Sequence, residues 1–135
     1  MANALYPLWK ENLVQLGANY GLNNAALKVA LVDTGTYTYS AAHQFFSSVT
    51  GVAGTPVALA GKTYTGGVLK ASNSTFTAVS NGSVTCEALI LYIDTGVAAT
   101  SPLVGYLDTG ITNMPVTPNG GDITVTWNAS GIFAL

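Results

Sequence analysis

The triplet Asp-Thr-Gly occurs three times, at residues 33–35, 94–96 and 108–110, and each copy follows an apolar run. In aspartic proteases two such aspartates share one proton, which requires their carboxylates to lie about 3 Å apart. A turn is the simpler interpretation, because Asp accepts turn hydrogen bonds and Gly readily adopts a positive φ. We therefore predict that Asp33, Asp94 and Asp108 end strands and form no joint active site.

The remaining reactive side chains form no second catalytic pattern. His43 is the single histidine and stands beside Phe45 and Phe46, which predicts a packed or hydrogen-bonded structural residue. Cys86 is the single cysteine and borders an apolar run, which predicts a small buried hydrophobe. Metal sites use clusters of His, Cys, Asp and Glu, and no such spacing occurs. The sequence thus predicts a protein that is not an enzyme, with no catalytic or metal-binding residue and no cofactor.

Charged residues are scarce in this chain of 135 residues: they make up 7% of it, against about 25% in a typical globular protein. Hydrophobic residues make up 49%, whereas disordered chains combine low hydrophobicity with high charge. The four lysines stand far apart and arginine is absent, although phosphate contacts rely on these two residue types. The composition excludes a disordered chain and predicts no nucleic-acid partner. A surface solvated by Thr, Ser and Asn suits permanent contact with neighbouring molecules.

One helix is predicted, near the N-terminus. Apolar residues recur there at spacings of three and four, the period of one helix face: Leu5, Leu8, Trp9, Leu13 and Leu16. Pro7 suits a first helical turn and Gly17 suits a helix end. We predict that Leu5, Trp9 and Leu13 bind a partner, because a terminal element reaches a neighbour at little cost to its own fold. The competing interpretation is that this stripe covers one open end of the protein's own core.

Two kinds of targeting segment are not predicted. The N-terminus has no basic region followed by an apolar stretch, so the sequence gives no sign of a signal peptide. The sequence as a whole also shows no uncharged apolar helix of about 18 residues, so no membrane partner is predicted.

From residue 26 onward the pattern changes to seven or eight short strands separated by turns. Residues 85–93 are apolar on both faces, which predicts a central strand, whereas residues 122–128 alternate between apolar and polar types. Residues 40–49 predict a short helix or turn with its aromatic face inward, and Asn81-Gly82 predicts a tight turn. The other predicted strands are at 26–32, 68–71, 75–79, 103–107 and 132–135, and 57–60 and 62–65 are weak candidates.

This pattern predicts an all-β fold, an antiparallel β-sandwich or jelly roll, with a short N-terminal α-helix. Residues 1–20 form an N-terminal helix or arm in this interpretation, and residues 21–135 form a single β-sandwich domain. Five apolar side chains are predicted to be buried between the sheets: Leu89, Ile90, Leu91, Val125 and Trp127.

Several segments resemble a family of small virion proteins of tailed bacteriophages, and the similarity spans nearly the whole chain. The residues that carry it near the N-terminus are Met1-Ala2-Asn3-Ala4-Leu5-Tyr6, Lys28-Val29-Ala30-Leu31-Val32-Asp33-Thr34 and Ala42-His43-Gln44-Phe45. Later residues include Thr75-Phe76-Thr77-Ala78-Val79-Ser80, Ala88-Leu89-Ile90-Leu91-Tyr92, Ser101-Pro102-Leu103-Val104, Pro115-Val116-Thr117-Pro118-Asn119-Gly120-Gly121-Asp122-Ile123 and Ile132-Phe133-Ala134-Leu135. None of these is a catalytic motif, so the resemblance indicates a structural protein.

The resemblance implies a capsid decoration, or cement, protein that is made in the bacterial host cytoplasm and binds the outside of the phage head. Its expected partners are the major capsid protein and further copies of itself, as a homo-oligomer. One alternative is a tail, collar or baseplate component of the same particle. Another is a carbohydrate-binding module, because jelly rolls host lectin sites and the chain has seven tyrosines.

Overall fold

A computed structural model describes residues 3–15, 21–22, 26–80 and 84–134 of the chain. These ranges contain nine strands, which are β1 (Ala4–Leu5), β2 (Leu27–Val32), β3 (Val52–Ala58), β4 (Val68–Leu69), β5 (Ser74–Phe76), β6 (Ala88–Ile93), β7 (Leu103–Leu107), β8 (Ile123–Val125) and β9 (Phe133–Ala134). They also contain one α-helix, α1 (Pro7–Gln15), and short 3-10 turns at Phe46–Ser48, Thr65–Gly67 and Ala98–Thr100. The chain is therefore an all-β protein with a short N-terminal helix, as the sequence predicts.

The main sheet has five antiparallel strands in the order β1-β7-β6-β2-β3. The central pair, β2 and β6, is in continuous register from Leu27 opposite Ile93 to Val32 opposite Ala88. Every residue of β6 and β7 is buried, so both faces of the sheet are covered. Strands that are apolar on both faces need such double coverage, which explains why these segments lack the polar alternation of a one-sided sheet.

Two smaller antiparallel ribbons, β4-β9 and β5-β8, complete the sandwich. In β5 and β8 buried residues alternate with exposed ones, as the pleat of a one-sided strand requires. Phe76, Ile123 and Val125 point inward and belong to the same hydrophobic cluster as the central strands, whereas Thr75 and Thr124 point to solvent.

Helix α1 begins at Pro7, whose fixed φ and missing N–H suit a first helical position. Trp9 is 1% exposed and belongs to the core cluster, where its ring meets Phe133 edge-on at 6.1 Å. Tyr6 and Trp9 therefore connect the predicted arm, residues 1–20, to the core of the β-sandwich. The predicted stop at Gly17 lies outside the described residues.

The segment between β2 and β3 packs aromatic side chains against the main sheet. Phe46 stacks on Tyr92 of β6, with ring centroids 3.9 Å apart and planes 9° apart. Tyr39 lies between Tyr6 and Tyr106, at centroid distances of 5.0 and 5.6 Å. The inward aromatic face predicted for residues 40–49 is confirmed at Phe46.

The predicted core is confirmed. Leu89, Ile90, Leu91 and Val125 are fully buried, and Trp127 is 6% exposed. Some strand boundaries differ from the predicted ones. The weak strand predicted at 57–60 begins at Val52 instead, and the one predicted at 62–65 is reduced to a single bridge between Thr63 and Lys70. The turn predicted at Asn81-Gly82 lies outside the described residues.

Candidate functional site

The three Asp-Thr-Gly triplets directly follow β2, β6 and β7. Asp33 accepts hydrogen bonds from the Gly35 N–H at 2.8 Å and from the Thr36 hydroxyl at 2.9 Å. Asp94 accepts one from the Gly96 N–H at 2.8 Å. In both triplets the carboxylate binds the N–H two residues on, which is the geometry of an Asx turn.

Sheet topology keeps the three carboxylates apart. Asp94 follows Ile93, which pairs with Leu27, so Asp94 lies at the opposite end of β2 from Asp33. Asp33 and Asp108 follow strands that flank β6, and two inter-strand spacings separate those strands by about 10 Å. A dyad that shares one proton needs contact between its carboxylates, and this arrangement does not provide it.

Asp94 forms an ion pair instead. The Lys28 ammonium donates to its Oδ2 at 2.7 Å, and the two side chains are 32% and 27% exposed. This bond, together with the Gly96 N–H, lowers the pKa of the Asp94 carboxyl from its usual value. The pair joins neighbouring strands, because Lys28 belongs to β2 and Asp94 follows β6.

The third triplet is held by the N-terminal segment. The Asn3 side-chain oxygen accepts the backbone N–H groups of Asp108 at 2.6 Å and Thr109 at 3.0 Å. The Asn3 amide donates to the Thr109 carbonyl at 3.2 Å. These contacts join the start of the described chain to the end of β7.

The predicted partner-binding residues differ in exposure. Trp9 is buried in the protein's own core, so a partner reaches its ring only if α1 moves. Leu5 and Leu13 are half-buried and pack against the core cluster. Leu5 covers Gly105 of β7, where an added Cβ would lie 3.5 Å from the Leu5 side chain. The apolar stripe therefore covers this protein's core while leaving part of Leu5 and Leu13 accessible.

Two adjoining clefts lie beside this N-terminal segment, with volumes of about 120 and 140 Å³. Both are lined by Asn3, Leu107 and Ile132. The second cleft also includes Leu5 and Phe133, so it runs between β1 and β9. Of the three predicted partner-binding residues, Leu5 lines this cleft.

A third cleft, of about 300 Å³, lies at the opposite edge of the main sheet, beside β3. Its lining includes Asp33, Thr36, Ser80, Val84 and Pro118. Val84 is 43% exposed and gives this cleft an apolar rim. Both Asp33 oxygens already bind their own turn, so the carboxylate contributes charge to the cleft with little free hydrogen-bonding capacity.

Cys86 is fully buried, as predicted, and forms a backbone bridge with Val116. Burial raises the pKa of its thiol to about 11, and the charges of Asp33 and Glu87 act in the same direction. A nucleophilic thiol needs a lowered pKa and a basic neighbour. The surroundings of Cys86 favour an unreactive thiol.

His43 is hydrogen-bonded, as predicted, and ends a relay of three side chains whose Tyr6–Tyr37 contact is buried. The Tyr6 and Tyr37 hydroxyls lie 2.7 Å apart, and Tyr37 Oη lies 2.8 Å from His43 Nδ1. Burial raises the pKa of both phenols, so both are neutral around neutral pH. The relay connects the residue before α1 to the segment after β2.

In the described part of the chain, no group of three or more His, Cys, Asp and Glu side chains is placed to bind a metal ion. The described residues also contain no helix of the length and apolarity needed to cross a membrane. No family model matches the sequence, and no curated protein matches it either.

Sequence reasoning missed two of the contacts that organise these turns. Glu87 Oε2 accepts both the backbone N–H and the hydroxyl of Thr34, at 3.0 and 3.1 Å. Asn3 binds a turn more than a hundred residues away. The sequence offers one general hint, that polar side chains near strand ends tend to bind free backbone groups. This hint does not say which backbone groups Asn3 and Glu87 bind.

Proposed function

We propose that this chain is a non-enzymatic structural subunit of a bacteriophage particle, a cement protein that binds the outside of the head. The sequence resemblance supports the assignment to a phage particle. The surface chemistry supports permanent contact with neighbouring protein subunits. Such a protein would bind across adjacent major capsid protein subunits. Binding that requires the closed shell stabilises that shell by mass action.

The observation that carries the proposal is the hydroxyl pairing on the outer surface, first of all on the β5-β8 ribbon. Thr75 and Thr124, side by side on β5 and β8, bond each other at 2.9 Å and are exposed. Outside the ribbons, beside the Cys86–Val116 bridge, half-buried Thr85 and exposed Thr117 form a second hydroxyl pair at 2.8 Å. Hydroxyl groups that are already paired enter an interface without leaving an unpaired charge, which is costly to bury.

The carbohydrate-binding alternative receives less support, because sugar sites stack sugars on exposed aromatic rings. Trp9 and Trp127 are buried. Among the described tyrosines Tyr64 is 38% exposed, and its hydroxyl donates to the Leu22 carbonyl at 2.6 Å. Among the described tyrosines, the ring of Tyr64 is therefore the one exposed enough to stack against a sugar.

Gold labelling of intact particles with an antibody to this protein tests the proposal directly. We expect regularly spaced label over the head. Label confined to the tail, collar or baseplate would replace the cement role with the other structural role. Absence of the protein from purified particles, with binding to an immobilised glycan array, would favour the carbohydrate-binding module.

A pair of substitutions tests the contact surface. Thr124→Glu places a charge on the β5-β8 ribbon, and we expect it to reduce binding to particles that lack the protein. Ser47→Glu adds the same charge at an exposed position in the Phe46–Ser48 turn, and it serves as the control. Equal binding by the two variants would exclude the ribbon as the contact surface.

A further inference from the structure

The Tyr6–Tyr37–His43 relay joins two segments that are distant in sequence. Tyr6 precedes α1, and Tyr37 lies 31 positions later, in the segment that follows β2. Tyr6 is fully buried and Tyr37 is 2% exposed, so water does not readily replace either partner. The backbone of Tyr6 is also engaged, because its N–H donates to Val104 of β7 at 3.1 Å.

With the neutral His43 ring protonated on Nε2, the number of protons in the relay depends on the charge of His43. A neutral imidazole that accepts at Nδ1 receives the Tyr37 proton, and Tyr37 in turn receives the Tyr6 proton. Each of the two contacts then has one hydroxyl proton and one acceptor. A protonated imidazole donates at Nδ1, so three protons compete for the same two contacts and one buried donor loses its acceptor.

Tyrosine side chains pack around the relay. Tyr39 and Tyr106 pack beyond Tyr6, and burial raises the pKa of Tyr106 to about 12, with the charge of Asp108 and, more weakly, that of Glu87 acting in the same direction. On the β6 side, Phe46 stacks on Tyr92, and burial with the charge of Asp94 raises the pKa of Tyr92 to about 12.

Lys28 lies opposite Tyr92 in the sheet, and its ammonium pairs with Asp94. Histidine is the residue type whose charge ordinarily changes between pH 5 and 8, and His43 is the single histidine of the chain.

We propose that this relay is a pH-dependent latch. With His43 neutral, it holds the N-terminal segment against the loop that carries Tyr37. When His43 gains a proton, both contacts can persist, but one buried hydroxyl proton has no acceptor. That cost makes the N-terminal segment open more often. This inference rests on the relay geometry and is independent of the proposed role in a phage particle.

Amide hydrogen exchange of the full chain at pH 7.5 and pH 5.0 tests the latch. The probes are the Tyr6 N–H and the Trp9 N–H, which bonds to the Tyr6 carbonyl at 3.1 Å. After correction for the intrinsic pH dependence of exchange, we expect their opening equilibrium to rise about tenfold at pH 5.0. The Cys86 N–H, bonded to Val116 at 2.7 Å, reports on a separate part of the fold and is expected to stay unchanged.

The matched variant is His43→Gln, which retains a side-chain acceptor and cannot gain a proton in this range. We expect it to abolish the pH dependence at Tyr6 and Trp9. Equal pH dependence in the variant and the unmodified protein would overturn the latch.

A second measurement requires no variant. The titration of His43, followed by NMR of its ring nitrogens, must coincide with the rise in Tyr6 exchange. A rise at a different pH, or no titration of His43 between pH 5.0 and 7.5, would also overturn the proposal.

Discussion

Side-chain oxygens of Asp33, Asp94 and Glu87 accept backbone N–H groups where β2 and β6 end. Backbone donors beyond the last ladder bond of a strand need a partner, and here acidic side chains supply it. This use of carboxylates accounts for half of the six acidic residues in the chain. Asp33 and Glu87 together hold the turn after β2, and Asp94 holds the turn after β6.

The Lys28–Asp94 pair predicts a pH dependence of stability. The bond from Lys28 lowers the pKa of Asp94 in the folded protein. The pair therefore stabilises the fold above the pKa of an unfolded aspartate, about 3.9, and this stabilisation is lost as the pH falls through the lower folded-state value. Asp94→Asn keeps an oxygen for the Gly96 N–H and removes the charge. Urea denaturation should show a loss of about 0.5 kcal/mol at pH 7 and none at pH 2.

Asp122→Asn is the matched control for this experiment. Asp122 is exposed and accepts the Ala78 N–H at 2.8 Å, so it fixes a turn as Asp94 does. The substitution keeps that acceptor, and we expect no comparable loss at pH 7. Equal losses in the two variants would show that the Lys28 contact adds nothing to stability.

Trp127, two residues beyond β8, is the largest of the predicted core residues, and its burial predicts a large effect. Its indole N–H donates to the Ser74 hydroxyl at 3.3 Å, and both residues are buried. Trp127→Ala should lower the free energy of unfolding by about 3–5 kcal/mol, measured by chemical denaturation. Trp127→Phe keeps much of the ring and should lose less. A loss below about 1 kcal/mol for the alanine variant would contradict a core position.

At the scale of elements, the strands with an unambiguous pattern could be predicted from the sequence. Strands β2, β6 and β7 are mainly apolar runs, because a strand buried on both faces needs apolar residues at successive positions. Strand β8 alternates between apolar and polar residues, because one of its faces is buried and the other is exposed. Strand β3 lacks such a pattern. It contains Gly54 at φ 67° and Pro56, and its pairing with β2 shifts register. Glycine and proline normally argue against a strand, and here they mark a bulged edge.

The contacts of the candidate site were less predictable than the strands. Helical spacing predicts that Leu5, Trp9 and Leu13 share a buried face, and it carries no information on what buries them. The Tyr6–Tyr37–His43 relay depends on three side chains that only the folded sheet brings together. The Asn3 contact with Thr109 likewise joins residues with no local relation.

Helix α1 provides a prediction about self-association. Removal of residues 1–17 should unfold the protein, because it takes Tyr6 and Trp9 out of the core. Leu13→Ser changes a half-buried position and should leave the fold intact. If the stripe binds a second copy, sedimentation velocity should show weaker self-association of this variant.

Lys10→Ser changes an exposed residue of the same helix and is the control. Unchanged self-association in the Leu13 variant, with circular dichroism confirming its fold, would assign the stripe to the core alone.

At the scale of the whole molecule, the extensive burial of apolar side chains and the scarcity of charged residues are related. A main sheet covered on both faces buries apolar side chains efficiently and leaves the surface to threonine, serine, asparagine and glycine. Only four of the ten charged residues are exposed: Lys10, Glu11, Lys70 and Asp122. A surface with so little charge gives little protection against association in solution, and it is well suited to a crowded, repeated interface.

The proposed cement role predicts that the protein raises the thermal stability of the shell. A ligand that binds only the closed shell stabilises each site by about 2.7 kcal/mol at a free concentration one hundred times its Kd. Shells that lack the protein should therefore dissociate at a lower temperature than shells with it, as measured by light scattering during heating. The dissociation temperature should also rise with added free protein, because mass action sets the stabilisation. A dissociation temperature that is independent of its concentration, at concentrations spanning the measured Kd, would show that the protein does not stabilise the shell by binding its closed form.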